Sequence, residues 1–165
     1  MRIGAAARLA GIALLLALAA RPAAALSCRT PDPVRDFLAA AAAEEIWMVV
    51  TGTLRFNTSA LPRSHSGAAA ARQTDIPATL RGLGLGPKGF DRPFARAVTL
   101  RVLCFGPWCG APEDGGRYLA FVKREAGADI VFASPCGANL HATPSRATLA
   151  AITACFTGDA CAPAR

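Results

Sequence analysis

Hydrophobic and polar positions change their period several times along the chain. Residues 33–44 place Val34, Phe37 and Leu38 within an alanine run, a strongly helix-favouring stretch. Asp32-Pro33 ahead of it gives an Asx cap and then proline at the first helical position, where a missing N–H costs nothing. Ile46–Phe56 is β-branched and aromatic and predicts a long first strand, with Gly52 marking a bulge or bend. Residues 57–73 lose all periodicity and read as a flexible loop; Asn57-Thr58-Ser59 matches a glycosylation sequon there. A weaker strand covers Ile76–Leu85, followed by a link through Pro87, Gly89 and Pro93. Arg96–Phe105 alternates, with Val98, Leu100, Val102 and Cys104 facing one way and Thr99 and Arg101 the other. After the turn-rich 106–116 come strands at Arg117–Lys123 and Asp129–Ala133, joined near Gly127. Thr143-Pro144 repeats the cap-then-proline signal, and Leu149, Ile152 and Phe156 form the apolar stripe of a closing helix.

Compartment changes how that order is read. Arg2 and Arg8 precede the apolar run Leu9–Ala20, and Ala23-Ala24-Ala25 makes a small-residue cleavage site, the pattern of a signal peptide over residues 1–25. All six cysteines, Cys28, Cys104, Cys109, Cys136, Cys155 and Cys161, follow it, and an even number in an oxidising compartment fits three disulfides. The expected product is exported, periplasmic or secreted, with residues 26–165 as one domain and no stable membrane anchor. Helix, five strands, helix in a small exported domain predicts a mainly β fold: a five-stranded OB-type barrel with a helix packed at each end and disulfide links. Losing Arg2, Arg8 and Arg21 with the leader lowers the formal charge from +7 to +4. Sixteen of the 18 basic residues are arginine, scattered without a stripe or interleaved aromatics, so no nucleic-acid surface is expected.

Catalytic chemistry finds few footholds. Ser66, Ser134 and Ser145 lack a nucleophile-elbow setting, and His65 lies in the aperiodic loop. Glu44-Glu45 and Glu113-Asp114 are adjacent at element ends and read as caps and turn formers. Gly82-Leu83-Gly84-Leu85-Gly86 has no helix after it to receive a phosphate. Trp108-Cys109-Gly110 echoes a thioredoxin site, but Pro112 stands where the second thiol belongs. His65 and His141 show no ligand spacing, so neither metal nor cofactor is expected, and no residue is named as catalytic. Lipidation at Cys28 is disfavoured because Ala25-Leu26-Ser27 fits a lipobox poorly.

Two segments carry a family resemblance. Cys28-Arg29-Thr30-Pro31, then Phe37, then a strand ending at Val50–Gly52 resembles the start of netrin-like domains, which include the tissue inhibitors of metalloproteinases. Cys109-Gly110, Gly116-Arg117-Tyr118-Leu119-Ala120-Phe121 and Cys136 are similar to that family's Cys-Gly … Tyr-Leu-Val-Phe … Cys core. The resemblance covers roughly residues 28–156 and implies an OB-type barrel with a helix at each end, tied by disulfides. Two departures stand out: Ser27 precedes a single Cys28 where inhibitors have Cys-x-Cys, and Leu38 stands where a further cysteine is expected.

The Cys104/Cys109 and Cys155/Cys161 spacings suit local links, which leaves Cys28 with Cys136, a pair the family pattern also permits. Cys28–Cys109 with Cys104–Cys136 is the alternative. The expected function is a non-enzymatic binding module for an envelope or extracellular protein, with Phe105, Pro107 and Trp108 as contact residues on a disulfide-closed hairpin. Trp108 has two roles open to it, aromatic anchor or lid over the barrel, while Trp47 is expected in the core. The resemblance adds a second function, metalloprotease inhibition through the free amine and carbonyl of an N-terminal Cys28. A small envelope enzyme is the third.

Overall fold

Asp32 sets where the first helix begins. Its Oδ1 accepts the N–H groups of Val34 (2.9 Å) and Arg35 (3.3 Å), capping α1 (Pro33–Ala42). The computed structural model describes residues 26–62 and 71–163; the expected signal peptide at 1–25, with His65 and Ser66, lies outside them. Seven strands follow: β1 (Trp47–Phe56), β2 (Gln73–Gly86), β3 (Gly89–Phe105), β4 (Trp108–Cys109), β5 (Arg117–Glu125), β6 (Ala128–Ala133) and β7 (Leu140–Ala142). A second helix, α2 (Arg146–Thr157), comes after them. The strands make one mixed sheet in the order β1-β2-β3-β6-β5-β7, with β4 attached to β3 and a further pairing of β1 with β5. The β3–β6 pair is parallel. Hydrogen-bonded pairing thus leaves β1 through β2 and comes back to it through β5.

Five consecutive buried residues, Tyr118–Val122, make β5 the centre of the packing. A strand covered on both faces reads as a continuous apolar run rather than an alternation. Tyr118, Ala120 and Val122 join the larger apolar cluster with Val50, Leu54, Leu80, Leu100 and Val131. Leu119 and Phe121 face the other way, into a smaller cluster with Val49 and Ile152 against which Val34, Phe37 and Leu149 pack. The first helix therefore packs its apolar stripe on β1 and β5, and the second lies against the first helix and the β2–β3 hairpin, with Ile152 reaching the same cluster.

The structure corrects several sequence expectations. Seven strands form where five were expected; β4 and β7 are two and three residues long, too short to show any alternation. The link through Pro87, Gly89 and Pro93 is instead part of one long β2–β3 hairpin that turns at residues 87–88. Pro93 fits inside β3 because β6 joins that strand only from Thr99, so its missing N–H breaks no second ladder. Residues 57–73 are not wholly loop: Asn57 Oδ1 accepts the Ser59 N–H at 3.0 Å and caps a 3-10 turn at Thr58–Ala60, and β2 begins at Gln73. Ser145, not Thr143-Pro144, caps α2, accepting the Thr148 N–H at 3.0 Å. Thr143 sits at φ +43°, outside the extended region a capping residue needs. Phe156, expected inside, is 46% exposed.

Gly52 makes no bulge either; the register shift falls between Gly84 and Leu85. Gly52 lies opposite Gly82 on one side and Tyr118 on the other. A Cβ on Gly52 would strike the Arg81 carbonyl, and one on Gly82 would strike the Thr51 carbonyl and the Gly52 Cα. Two bare backbones thus approach more closely than any side chain allows.

Three disulfides bind the fold: Cys28–Cys136, Cys104–Cys109 and Cys155–Cys161. The first closes a separation of 108 residues and ties the segment before α1 to the turn after β6. In the chain-entropy account such a loop is worth about 4–5 kcal/mol, against about 2 kcal/mol for the five- and six-residue separations of the others.

Replacing Gly52 or Gly82 by alanine is expected to cost about 1–3 kcal/mol or more, because only backbone can yield. Gly84→Ala, whose Cβ would sit 3.6 Å from the nearest atom, should be neutral or stabilising by up to about 1 kcal/mol. Urea unfolding of the three variants measures the contrast.

Candidate functional site

The end of β3 and the short β4 build a minimal hairpin. Cys104 pairs with Cys109 and Phe105 with Trp108, so the disulfide crosses the ladder directly beneath two aromatic side chains. Gly106 takes φ +62° at the first turn position, which suits glycine in a type II′ turn, and Pro107, whose ring holds φ negative, occupies the second. The base is anchored. Cys104 and Cys109 are buried in the larger cluster, the Cys104 N–H donates to the Arg72 carbonyl at 3.0 Å, and the Gly110 N–H donates to the Leu103 carbonyl at 2.9 Å. Gly110 packs so tightly that a Cβ there would strike the Ala133 carbonyl.

The tip is open. Phe105 is 44% and Trp108 37% exposed, Pro107 is half-buried, and the Trp108 ring lies over Gly106 rather than in either apolar cluster. The three residues picked from sequence are therefore brought together on one rigid projection. Trp47, by contrast, is half-buried against the smaller cluster, 6.1 Å from Phe132.

The N-terminal strap is a second exposed element. Residues 27–31 lie on the surface, held by the Cys28–Cys136 bond and by Pro31, whose Cγ lies 3.1 Å from where a Gly137 Cβ would be. A part-buried polar contact reinforces the same end of the molecule. Asp36 on α1 accepts the Asn139 N–H at 2.7 Å, and its Oδ2 lies 2.8 Å from His141 Nε2 on β7. His141 also meets the edge of Phe121 at 6.0 Å. Sequence reading left His141 without a role, and the partners are 105 residues apart, so no local pattern marks them.

The acidic pairs hold structure. Asp114 accepts the Phe56 N–H at 2.9 Å, the Glu113 N–H donates to the Tyr118 hydroxyl at 2.7 Å, and Glu45 receives Lys123 Nζ at 2.7 Å. Ser134 lies in a cleft of about 540 Å³ between the 109–118 connection and the 133–143 turn, with its Oγ buried and unpaired among the described residues. Ser145 is spent on capping α2. Among the described residues no three His, Cys, Asp or Glu side chains gather as a metal site.

Charge concentrates instead at Arg101, which sequence reading placed only on the outer face of its strand. Its guanidinium grips Asp75 through two bonds, Nε–Oδ1 at 2.9 Å and Nη2–Oδ2 at 2.8 Å, and reaches Glu125 Oε1 at 2.9 Å. It also lies 5.8 Å over the Phe132 ring. That hydrogen bonding holds the Asp75 carboxyl below the usual carboxylate range and raises the guanidinium further. Glu45 is likewise lowered, first by its hydrogen bond from Lys123.

Comparison of the chain with protein-family models, curated proteins and solved structures finds no match in any of the three.

Because the folded Asp75 value lies below its unfolded value of about 3.9, its contribution is complete above that pH and disappears as pH falls through the folded value. Asp75 is 39% exposed, so solvent screening limits the contribution to about 1 kcal/mol or less. Asp75→Asn should be destabilised by that amount at neutral pH and should converge on the parent in acid. Unfolding free energies measured across pH 2–7 (roughly bracketing the unfolded value) check the sign.

Proposed function

We propose that this chain is an exported, non-enzymatic interaction module of netrin-like type, built on an OB-type barrel. It grips an envelope or extracellular protein with the Phe105–Trp108 tip. A path of pairings that leaves β1 and returns to it, enclosing one large apolar cluster, supports the barrel. Three disulfides fit an oxidising compartment, and among the described residues no helix is long and apolar enough to cross a membrane.

The observation that carries the binding reading is the aromatic pair itself. Two large apolar side chains stand exposed on a hairpin whose turn, ladder and disulfide fix its shape in advance. An aromatic anchor on a rigid support loses little conformational freedom on binding, which is where interface hot spots concentrate. Trp108→Ala should leave the melting transition in place, because the 37%-exposed ring stands at the hairpin tip over Gly106. The same change should weaken capture of the envelope partner by about 2 kcal/mol, roughly thirtyfold. Cross-linking and titration with parent and variant measure both effects. A large fall in melting temperature would assign the ring to covering the core, and unchanged capture would remove the hairpin from the interface.

The exposed, disulfide-tethered Cys28 favours a second reading, inhibition of a metalloprotease by chelation of its zinc through the amine and carbonyl of Cys28. That mechanism needs Cys28 as the first residue of the processed protein. N-terminal sequencing is expected to return Cys28 if the reading holds; a chain beginning at Leu26 eliminates it.

A further inference from the structure

The sheet opens where β1 and β2 part. Their pairing ends at Val50↔Gly84, next to the shift in β2 between Gly84 and Leu85. Before Val50, β1 keeps β5 on one side and, among the described residues, has no strand on the other. The gap is a cleft of about 510 Å³ between the end of α1, residues 45–50, the far part of the β2–β3 hairpin and Phe156 of α2. That is a size small-molecule sites occupy.

Its walls come from both apolar clusters: Met48 and Phe94 belong to the larger, Phe37 and Leu85 to the smaller. Phe156 and Ile46 stand beside it 46% and 67% exposed, which accounts for the helix residue that fails to bury its ring. The Trp47 indole N–H, on another lining residue, is buried with no acceptor among the described residues.

Charge is asymmetric. Arg92 and Arg96 line the cleft with side chains 69% and 51% exposed. Arg92 Nε is 3.7 Å from Asp91, and Arg96 shares Asp129, at 3.4 Å, with the closer Arg124 at 2.7 Å. Glu45, the lining carboxylate, is already bound by Lys123. Four cations therefore share three carboxylates, and the arginines at the cleft hold the looser bonds.

We infer that this cleft binds a single-chain anionic amphiphile of the long-chain carboxylate class. The tail lies against Phe37, Met48, Leu85, Phe94 and Phe156, and the carboxylate meets Arg92 and Arg96. The site is independent of the hairpin, so either can fail without the other.

The chain has two tryptophans, Trp47 and Trp108, so Trp108→Phe leaves Trp47 as the single indole reporter. In that background 12-bromododecanoate, kept below its micellar concentration, should quench Trp47 emission to saturation, and dodecanoate should reverse it. Dodecyltrimethylammonium should compete at least about tenfold less well, as a cation facing guanidinium groups does. Arg92→Ala with Arg96→Ala should weaken dodecanoate about tenfold or more and leave 1-dodecanol unaffected. Asp129 keeps its Arg124 partner in that variant, and Arg92→Gln alone serves if the double change disturbs the melting transition. Absent quenching, equal competition by the anionic and cationic probes, or unaltered dodecanoate affinity in the arginine variants would each overturn the assignment. So would preference for an apolar peptide with a free carboxyl terminus over dodecanoate.

Discussion

The architecture depends on how closely two backbones meet at Gly52 and Gly82. β1 must serve two neighbours at once, β2 from Val50 to Phe56 and β5 from Trp47 to Thr53, and the overlap, Val50 to Thr53, contains Gly52. A side chain on either glycine would push β2 away from β1 at the very residues where β1 is also held by β5. Without that approach the large apolar cluster loses one wall. With it, β5 is pressed between two cores, and both helices find an apolar floor. The separation of β1 from β2 just beyond Val50 is the other face of the same constraint: strands drawn tightly together at one point diverge past the shift at Gly84.

Polar contacts divide into clamps and caps. Arg101 spans β2, β3 and β5 by joining Asp75 to Glu125, and Asp129 gathers Arg96 and Arg124 on the neighbouring strands. Asp36 performs the equivalent task between α1 and β7. Each of these carboxylates joins two elements at fixed spacing. Outside these clamps stand the apolar hairpin tip and the cleft beside Phe156, whose rim carries the exposed Arg92 and Arg96.

Legibility from sequence followed the range of the interactions. α1 was readable because Asp32, Pro33 and the apolar spacing act within one or two turns, and β3 because its alternation runs unbroken from Val98 to Cys104. The hairpin residues were readable for the same reason, since Cys104 and Cys109 are separated by a single turn. β4 and β7 were invisible, being too short to show a period. The 87–95 stretch misled because glycine and proline normally break strands, while here Pro93 uses a side of β3 without a neighbour. Thr143-Pro144 misled because a capping dipeptide is defined by backbone angles that sequence does not display. Arg101–Glu125, Asp36–His141 and the cleft combine residues far apart in the chain, and no spacing rule reaches them.

The Cys28–Cys136 bond also dictates a timetable. Synthesis runs from the N-terminus, so Cys28 emerges long before its partner, and Cys104 and Cys109 come out in between. Until position 136 arrives, the first thiol meets only cysteines belonging to another bond, and premature oxidation captures the wrong one. Cys104 and Cys109 escape that hazard if they close on each other at once, across a turn already shaped by Gly106 and Pro107. Correct pairing thus favours quick local closure and a long-delayed final stitch, and a hasty bond is undone by thiolate attack on the disulfide.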